Sequence, residues 1–379
     1  MSDPVSPRPN APRLWFDAGF AVLVATVTLV VFVRTGSGPA TPTDAGRRPP
    51  QGPNGSANPA GATPSASPEA KGSLLIHGAG DVNVDPSYVT SYASEGYGYA
   101  WSGLDGLFRD DDLTVVNLEC AVSKLGTAVP KEFNFRGDPA ALPAMRKGGV
   151  DVANMGNNHS YDFGPDALVD TRMNLVDAGV DPVGAGKDAE EALSPAILHV
   201  NGWTIAVVGL DEVVDPPEAV AGPHTPGTAA GHDFSAMLDA VKVAAAESDL
   251  VVVDIHWGVE LDTQPRDYQV KEGHQLVDAG ADVIFGGHSH RLQPLELYEG
   301  KPIFYSLGNF VWPDFSAEGS RTGVAEVRVA PNGDIRARIL PAFIEAPGQP
   351  RAHARIRRER AAAAPTRRSG QRGPDRHGW

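Results

Sequence analysis

The chain has 379 residues, 41% of them hydrophobic, and a net charge of −15; that is enough for one large domain or two small ones. The charge is uneven: residues 1–71 hold six Lys/Arg against four Asp/Glu, residues 351–379 hold nine Arg against two acids, and the stretch between carries −24. So acidic a body argues against nucleic-acid binding, which wants a basic face, and favours solubility and divalent cations.

Residues 1–13 read as a short cytoplasmic N-terminus containing Arg8 and Arg13, and Leu14–Val33 as a transmembrane anchor with Asp17 its only charge. About 20 apolar residues suffice to cross a ~30 Å hydrocarbon core. Trp15 and Phe16 suit an interfacial belt, and the flanking arginines keep the N-terminus inside by the positive-inside tendency, which Arg34, Arg47 and Arg48 oppose. The alternative is a cleavable signal peptide, for which the apolar stretch is long and Gly38-Pro39-Ala40 is a poor cleavage site. Either way the body is exported, and a cell-membrane, single-pass, extracytoplasmic protein is expected. The sole cysteine, Cys120, permits no internal disulfide and sits in an apolar run as a small core residue.

Residues 34–72 are dominated by Gly, Pro, Ala, Ser and Thr. Such a stretch buries too little apolar surface to offset chain entropy and reads as a disordered linker. The body, 73–350, shows β-rich runs at Leu74–Ile76, Leu113–Leu118, Val150–Ala153, Leu250–Ile255, Val283–Phe285 and Ile303–Leu307. Helical patterns lie at Pro165–Ala178, Asp233–Glu247 and Pro265–Ala279. Strands alternating with helices predict an α/β fold whose largely parallel sheet is covered on both faces. Asn201-Gly202 and Asn332-Gly333, each between apolar runs, signal hairpins. The tail, 351–379, is basic, lacks apolar periodicity and reads as disordered.

Six polar clusters each end or follow an apolar run: Gly80-Asp81-Val82-Asn83, Asn117-Leu118-Glu119, Asn157 to Asp162, His256-Trp257-Gly258, Gly286 to His290, and Ser306 to Asn309. Ligands of α/β sheets bind beyond the carboxyl ends of strands. A fold that joins these ends gathers Asp, Glu, Asn and several His, a mixed N/O set that suits Mn, Fe or Zn rather than Ca. His288-Ser289-His290 is the sharpest signal, since imidazoles at i and i+2 on extended or loop backbone face one way. Rival motifs fail: Asp81 to Asp85 begins like a calcium loop, but Pro86 occupies the position that needs Gly. Gly287 to Arg291 lacks the last glycine of a nucleophile elbow. His77, His199, His224, His232 and His274 fall outside the clusters and read as surface or core residues.

The order Gly-Asp, Asn-Leu-Glu, Asn-Asn-His-x-x-Asp, His-Trp-Gly, Gly-His-x-His, Leu-Gly-Asn-Phe over residues 74–312 resembles the CapA (poly-γ-glutamate capsule synthesis) family, relatives of the calcineurin-like metallophosphoesterases. The resemblance implies a four-layer α/β/β/α sandwich with one or two divalent metal ions. It places Asp81 on a first metal, Glu119 between the two, Asn158 and His256 on the second, His288 with the second and His290 with the first. It makes His159 the group that hydrogen-bonds or protonates a scissile phosphoester, oriented by Asp162. Asn83 stands where the wider superfamily has a His, and Glu119 where it has an Asp. The expected function is envelope-polymer biosynthesis, with a cell-surface phosphoesterase or a vestigial structural domain as alternatives. The expected partners are an anionic envelope polymer or phosphoester substrate, the membrane through the N-terminal helix, and a membrane polymer synthase, with no nucleic acid.

Overall fold

The computed structural model describes residues 70–230 and 234–353. The expected anchor, most of the linker and of the tail, and His232 lie outside them. No helix among the described residues is long and apolar enough to cross a membrane.

Two sheets form the body. The first runs Gln349–Ala352, Ile335–Ala346, Arg321–Val329, Leu74–Val82, Leu113–Leu118, Val152–Asn154, Asp181–Val183, with Asn309–Val311 also paired to Leu74–Val82. The second runs Leu295–Tyr298, Lys301–Phe304, Val283–Gly287, Leu250–His256, Trp203–Asp211, Ala196–Val200. The first is antiparallel from Gln349–Ala352 to Leu74–Val82 and parallel from there to Asp181–Val183; the second is parallel at its centre and antiparallel at both edges. The antiparallel additions include the hairpins expected at both Asn-Gly pairs. At Asn201-Gly202 both residues have positive φ, 49° and 78°, as a two-residue type I′ turn demands. At Asn332-Gly333 only the glycine does, because the loop is wider and closes through Ala330 N–H to Asp334 O.

Side-chain alternation along the central strands sorts neighbours into different cores. Val115, Val207 and Val252 meet between the sheets, in one core with Ile76, Val283 and Phe285. Val116 faces Leu142, Met145, Leu168 and Leu175 on the outer side of the first sheet. Val208 and Val253 face Met237, Val241 and Leu276 on the outer side of the second. The result is helix, sheet, sheet, helix, and the near-continuous apolar strands are what burial on both faces requires. Gly78 lets the sheets approach closely, since a Cβ there would sit 2.6 Å from the Phe285 ring.

Of the expected helices, Pro165–Asp177 starts with proline in its first turn and Phe234–Glu247 ends at the expected residue. The third starts at Asp267, two residues later than expected, because the Gln269 side chain accepts the Arg266 N–H and holds Arg266 extended as the cap. Cys120 is buried in the first sheet's outer core, and burial pushes its thiol up.

Candidate metal centre

The carboxyl ends of five parallel strands, three from the first sheet and two from the second, converge on one spot. Asp81 lies one residue before the end of Leu74–Val82, and Glu119 one residue past Leu113–Leu118. Asn158 and His159 follow Val152–Asn154, His256 closes Leu250–His256, and His288 and His290 follow Val283–Gly287. All eight sequence-predicted residues, Asp162 included, are joined in one network of contacts.

Asp81 Oδ1 accepts from Asn117 Nδ2 at 2.8 Å, and its Oδ2 stands 3.1 Å from His290 Nδ1 without accepting a hydrogen bond. His256 Nε2 is 2.9 Å from Asn158 Oδ1 and 3.1 Å from His288 Nδ1. Glu119 is fully buried, with Oε1 3.6 Å from His256 Nε2 and 3.9 Å from both His159 Nε2 and His290 Nε2. Neither Glu119 oxygen has a hydrogen-bond partner. Two ligand groups result, Glu119–His256–His288 and Asp81–Glu119–His290, each with donor atoms within 4.8 Å of one another, and Glu119 belongs to both.

The electrostatics fit a cation. Burial, with Asp81 and Glu260 nearby, holds the Glu119 carboxyl well above the usual carboxylate range. A buried carboxylate with empty lone pairs costs several kcal/mol unless a positive charge meets it (roughly). Burial and the neighbouring imidazoles push His256 and His288 down, which leaves them neutral, with a lone pair to give. Burial would lower His290 as well, but the Asp81 carboxylate overrides it and His290 is raised. Carboxylate, imidazole and amide oxygen form the donor set of a borderline divalent ion.

His288 and His290 are not on extended backbone: their φ angles are 83° and 52°, left-handed values that non-glycine residues rarely adopt. They reach the centre through that strained turn rather than through strand alternation. Beside them, His159 Nδ1 meets Asp162 Oδ2 at 2.9 Å, which leaves Nε2 turned to Glu119. Burial lowers His159, against the opposing pull of Asp162. Asn83 Oδ1 accepts the Asp85 N–H, a turn-forming bond.

Two residues with consequences here went unassigned by the motifs. Asn117 Nδ2 spans Asp81 Oδ1 and His256 Nδ1, at 2.8 and 3.0 Å, and its own carbonyl accepts from Asn157. Lys131 Nζ donates to Asn158 O at 2.6 Å and pairs with Asp162 Oδ1 at 2.9 Å. Asn117 is legible as part of Asn-Leu-Glu, whereas Lys131 sits in a loop with no flanking pattern. Replacing Lys131 by Met leaves the Asp162 charge buried with only the Phe135 N–H and His159 as partners. The expected cost is about 2 kcal/mol of stability and a roughly tenfold or larger loss in Mn²⁺ affinity as Asn158 loosens. Thermal unfolding and calorimetric titration read the two separately; unchanged affinity would show that Lys131 has no part in positioning the centre.

Face-packed sheets with a carboxylate–imidazole cluster at their strand ends define a mixed α/β protein with a candidate metal centre. The chain belongs to the bacterial capsule synthesis protein family PGA_cap, which matches residues 76–314. It is 33% identical over 243 residues to the PGA biosynthesis protein CapA of Bacillus subtilis (strain 168), covering 63% of each chain. It is 31% identical over 219 residues to the capsule biosynthesis protein CapA of Bacillus anthracis, covering 57% of this chain and 53% of that one. The chain thus spans less than two thirds of the length of these relatives. Among solved structures, NAD nucleotidase of Haemophilus influenzae aligns at TM-score 0.45 and 15% identity over 77% of this chain and 62% of that one.

Proposed function

We propose that this protein acts in the synthesis of an anionic envelope polymer, as an extracytoplasmic, membrane-anchored protein whose metal centre hydrolyses a phosphoester. The family membership supports the polymer, and the apolar stretch Leu14–Val33 with its flanking arginines supports the export. The observation that carries the chemistry is Glu119, fully buried among three imidazoles with both oxygens unpartnered. Asp81, Glu119, Asn158, His256, His288 and His290 are the proposed ligands of one or two Mn, Fe or Zn ions. When bound, such an ion supplies Lewis acidity towards a phosphoryl oxygen.

The remaining work falls to the chain. Asp162 fixes the His159 ring through Nδ1, and Lys131 fixes Asp162. His159 Nε2 is then the atom placed to hydrogen-bond the leaving-group oxygen, or to protonate it when the ring carries its second proton. Phe135 packs on the His159 ring at 4.4 Å and shields it from water.

The test uses full-length protein with Mn²⁺, assayed on phosphomonoesters, phosphodiesters and γ-glutamyl polymer. His159→Ala is expected to cut phosphoester turnover by about 10²–10⁴ while bound metal is unchanged. Metal and polymer binding without any turnover would replace this reading with non-hydrolytic handling of the polymer.

A further inference from the structure

Next to the centre lies a cleft of about 220 Å³ whose walls are mostly rings. Tyr88 stands 4.4 Å from Phe135, and edge-on to Trp312 at 5.5 Å and Phe315 at 5.6 Å. These walls touch the imidazoles of the centre directly, Phe135 on His159 at 4.4 Å and Trp312 on His290 at 4.8 Å. Phe133 and Phe315 line the cleft while 56% and 74% exposed, large apolar faces left in water beside a polar centre. Exposed apolar surface clustered in this way marks a binding site rather than ordinary surface.

The cleft's chemistry restricts its occupant. Asn309 Oδ1 faces His290 Nδ1 and Asn309 Nδ2 donates to Gly319 O, Ser316 Oγ accepts the Gly319 N–H, and Arg291 Nη1 donates to His290 O. Asn309, Ser316 and Arg291 Nη1 are thus engaged within the wall, so ring faces make up most of what the cleft offers a ligand. Glu260 and Arg291 bring one charge of each sign and favour neither a cation nor an anion. One benzene-sized ring fills roughly 150 Å³, so the space suits one ring with a substituent rather than a length of polymer.

We infer that this cleft binds a flat, uncharged, unsaturated ring carried by the anionic group held at the centre, which makes aryl and heteroaryl esters its preferred class. The inference rests on the phosphoester reading for the anionic group, and on the cleft alone for the ring. Ring faces stack on aromatic side chains in offset or edge-on geometry, which a puckered ring cannot match.

The test compares phenylphosphonate, cyclohexylphosphonate and methylphosphonate for binding to full-length protein by calorimetry, with and without Mn²⁺. Phenylphosphonate is expected to bind about tenfold tighter than methylphosphonate, with cyclohexylphosphonate between them. Phe133→Ala/Phe315→Ala, at two exposed positions, is expected to reduce that preference to about twofold and to leave Mn²⁺ and methylphosphonate binding as they were. Equal binding of the three probes, or a preference that survives the double substitution, overturns the cleft. Persistence of the ring preference without any response to Mn²⁺ upholds the cleft and removes the phosphoester reading instead.

Discussion

Replacing Glu119 by Gln is expected to raise the thermal midpoint of the metal-free protein and to abolish its stabilisation by Mn²⁺. The two effects have opposite signs and one cause. Glu119 is fully buried with both oxygens lacking hydrogen-bond partners, and burial together with Asp81 disfavours its charge. Glutamine keeps the shape and removes the charge. Its amide N–H groups cost part of the gain, so the net stabilisation of the metal-free protein is about 2 kcal/mol, or roughly 5 °C in Tm. In the wild type, Mn²⁺ at a hundred times its Kd adds about 2.7 kcal/mol by mass action. The variant loses the one carboxylate shared by both ligand groups, so the order of stabilities reverses on adding metal. Differential scanning calorimetry with and without Mn²⁺ reads both halves. A variant less stable than wild type in the absence of metal would mean that Glu119 has a partner that the structure does not show.

Gly80→Ala is expected to be more damaging, although it removes no functional group. A Cβ at position 80 would lie 1.9 Å from Gly308 O. At this point Leu74–Val82 closes on the loop before Asn309–Val311, and Asp81 N–H donates to that same carbonyl at 3.0 Å. Backbone against backbone cannot give way as a flexible side-chain end can. The expected loss is about 3 kcal/mol or more, near 10 °C in Tm. Asp81 and Asn309, which both contact His290, would be displaced with it, so Mn²⁺ affinity is expected to fall as well. The small residue in Gly80-Asp81 is thus explained by a contact with a segment more than 200 positions away in sequence.

That contact shows what is and is not readable from the chain alone. The strands announce themselves because burial on both faces forces long apolar runs, and the polar clusters stand out because they break those runs where the strands end. Asp81, Glu119, His256 and His288 are legible for that reason, and their convergence follows once parallel strands share one edge. Lys131 is not legible: its role depends on a loop folding back onto Asn158 and Asp162, and loops carry no periodicity. The cleft is hidden for the same reason, since Tyr88, Phe133 and the pair Trp312 and Phe315 come from three separate connections and each reads singly as ordinary core or surface. The left-handed turn at His288 and His290 is equally invisible, because neither is the glycine that such φ angles favour.

The most direct measurement is anomalous X-ray scattering from crystals of the protein soaked in Mn²⁺. The account predicts a peak within bonding range of a Glu119 oxygen, shared with His256 and His288, with Asp81 and His290, or with both sets. Manganese absent from that spot, or bound only elsewhere on the acidic surface, would contradict it.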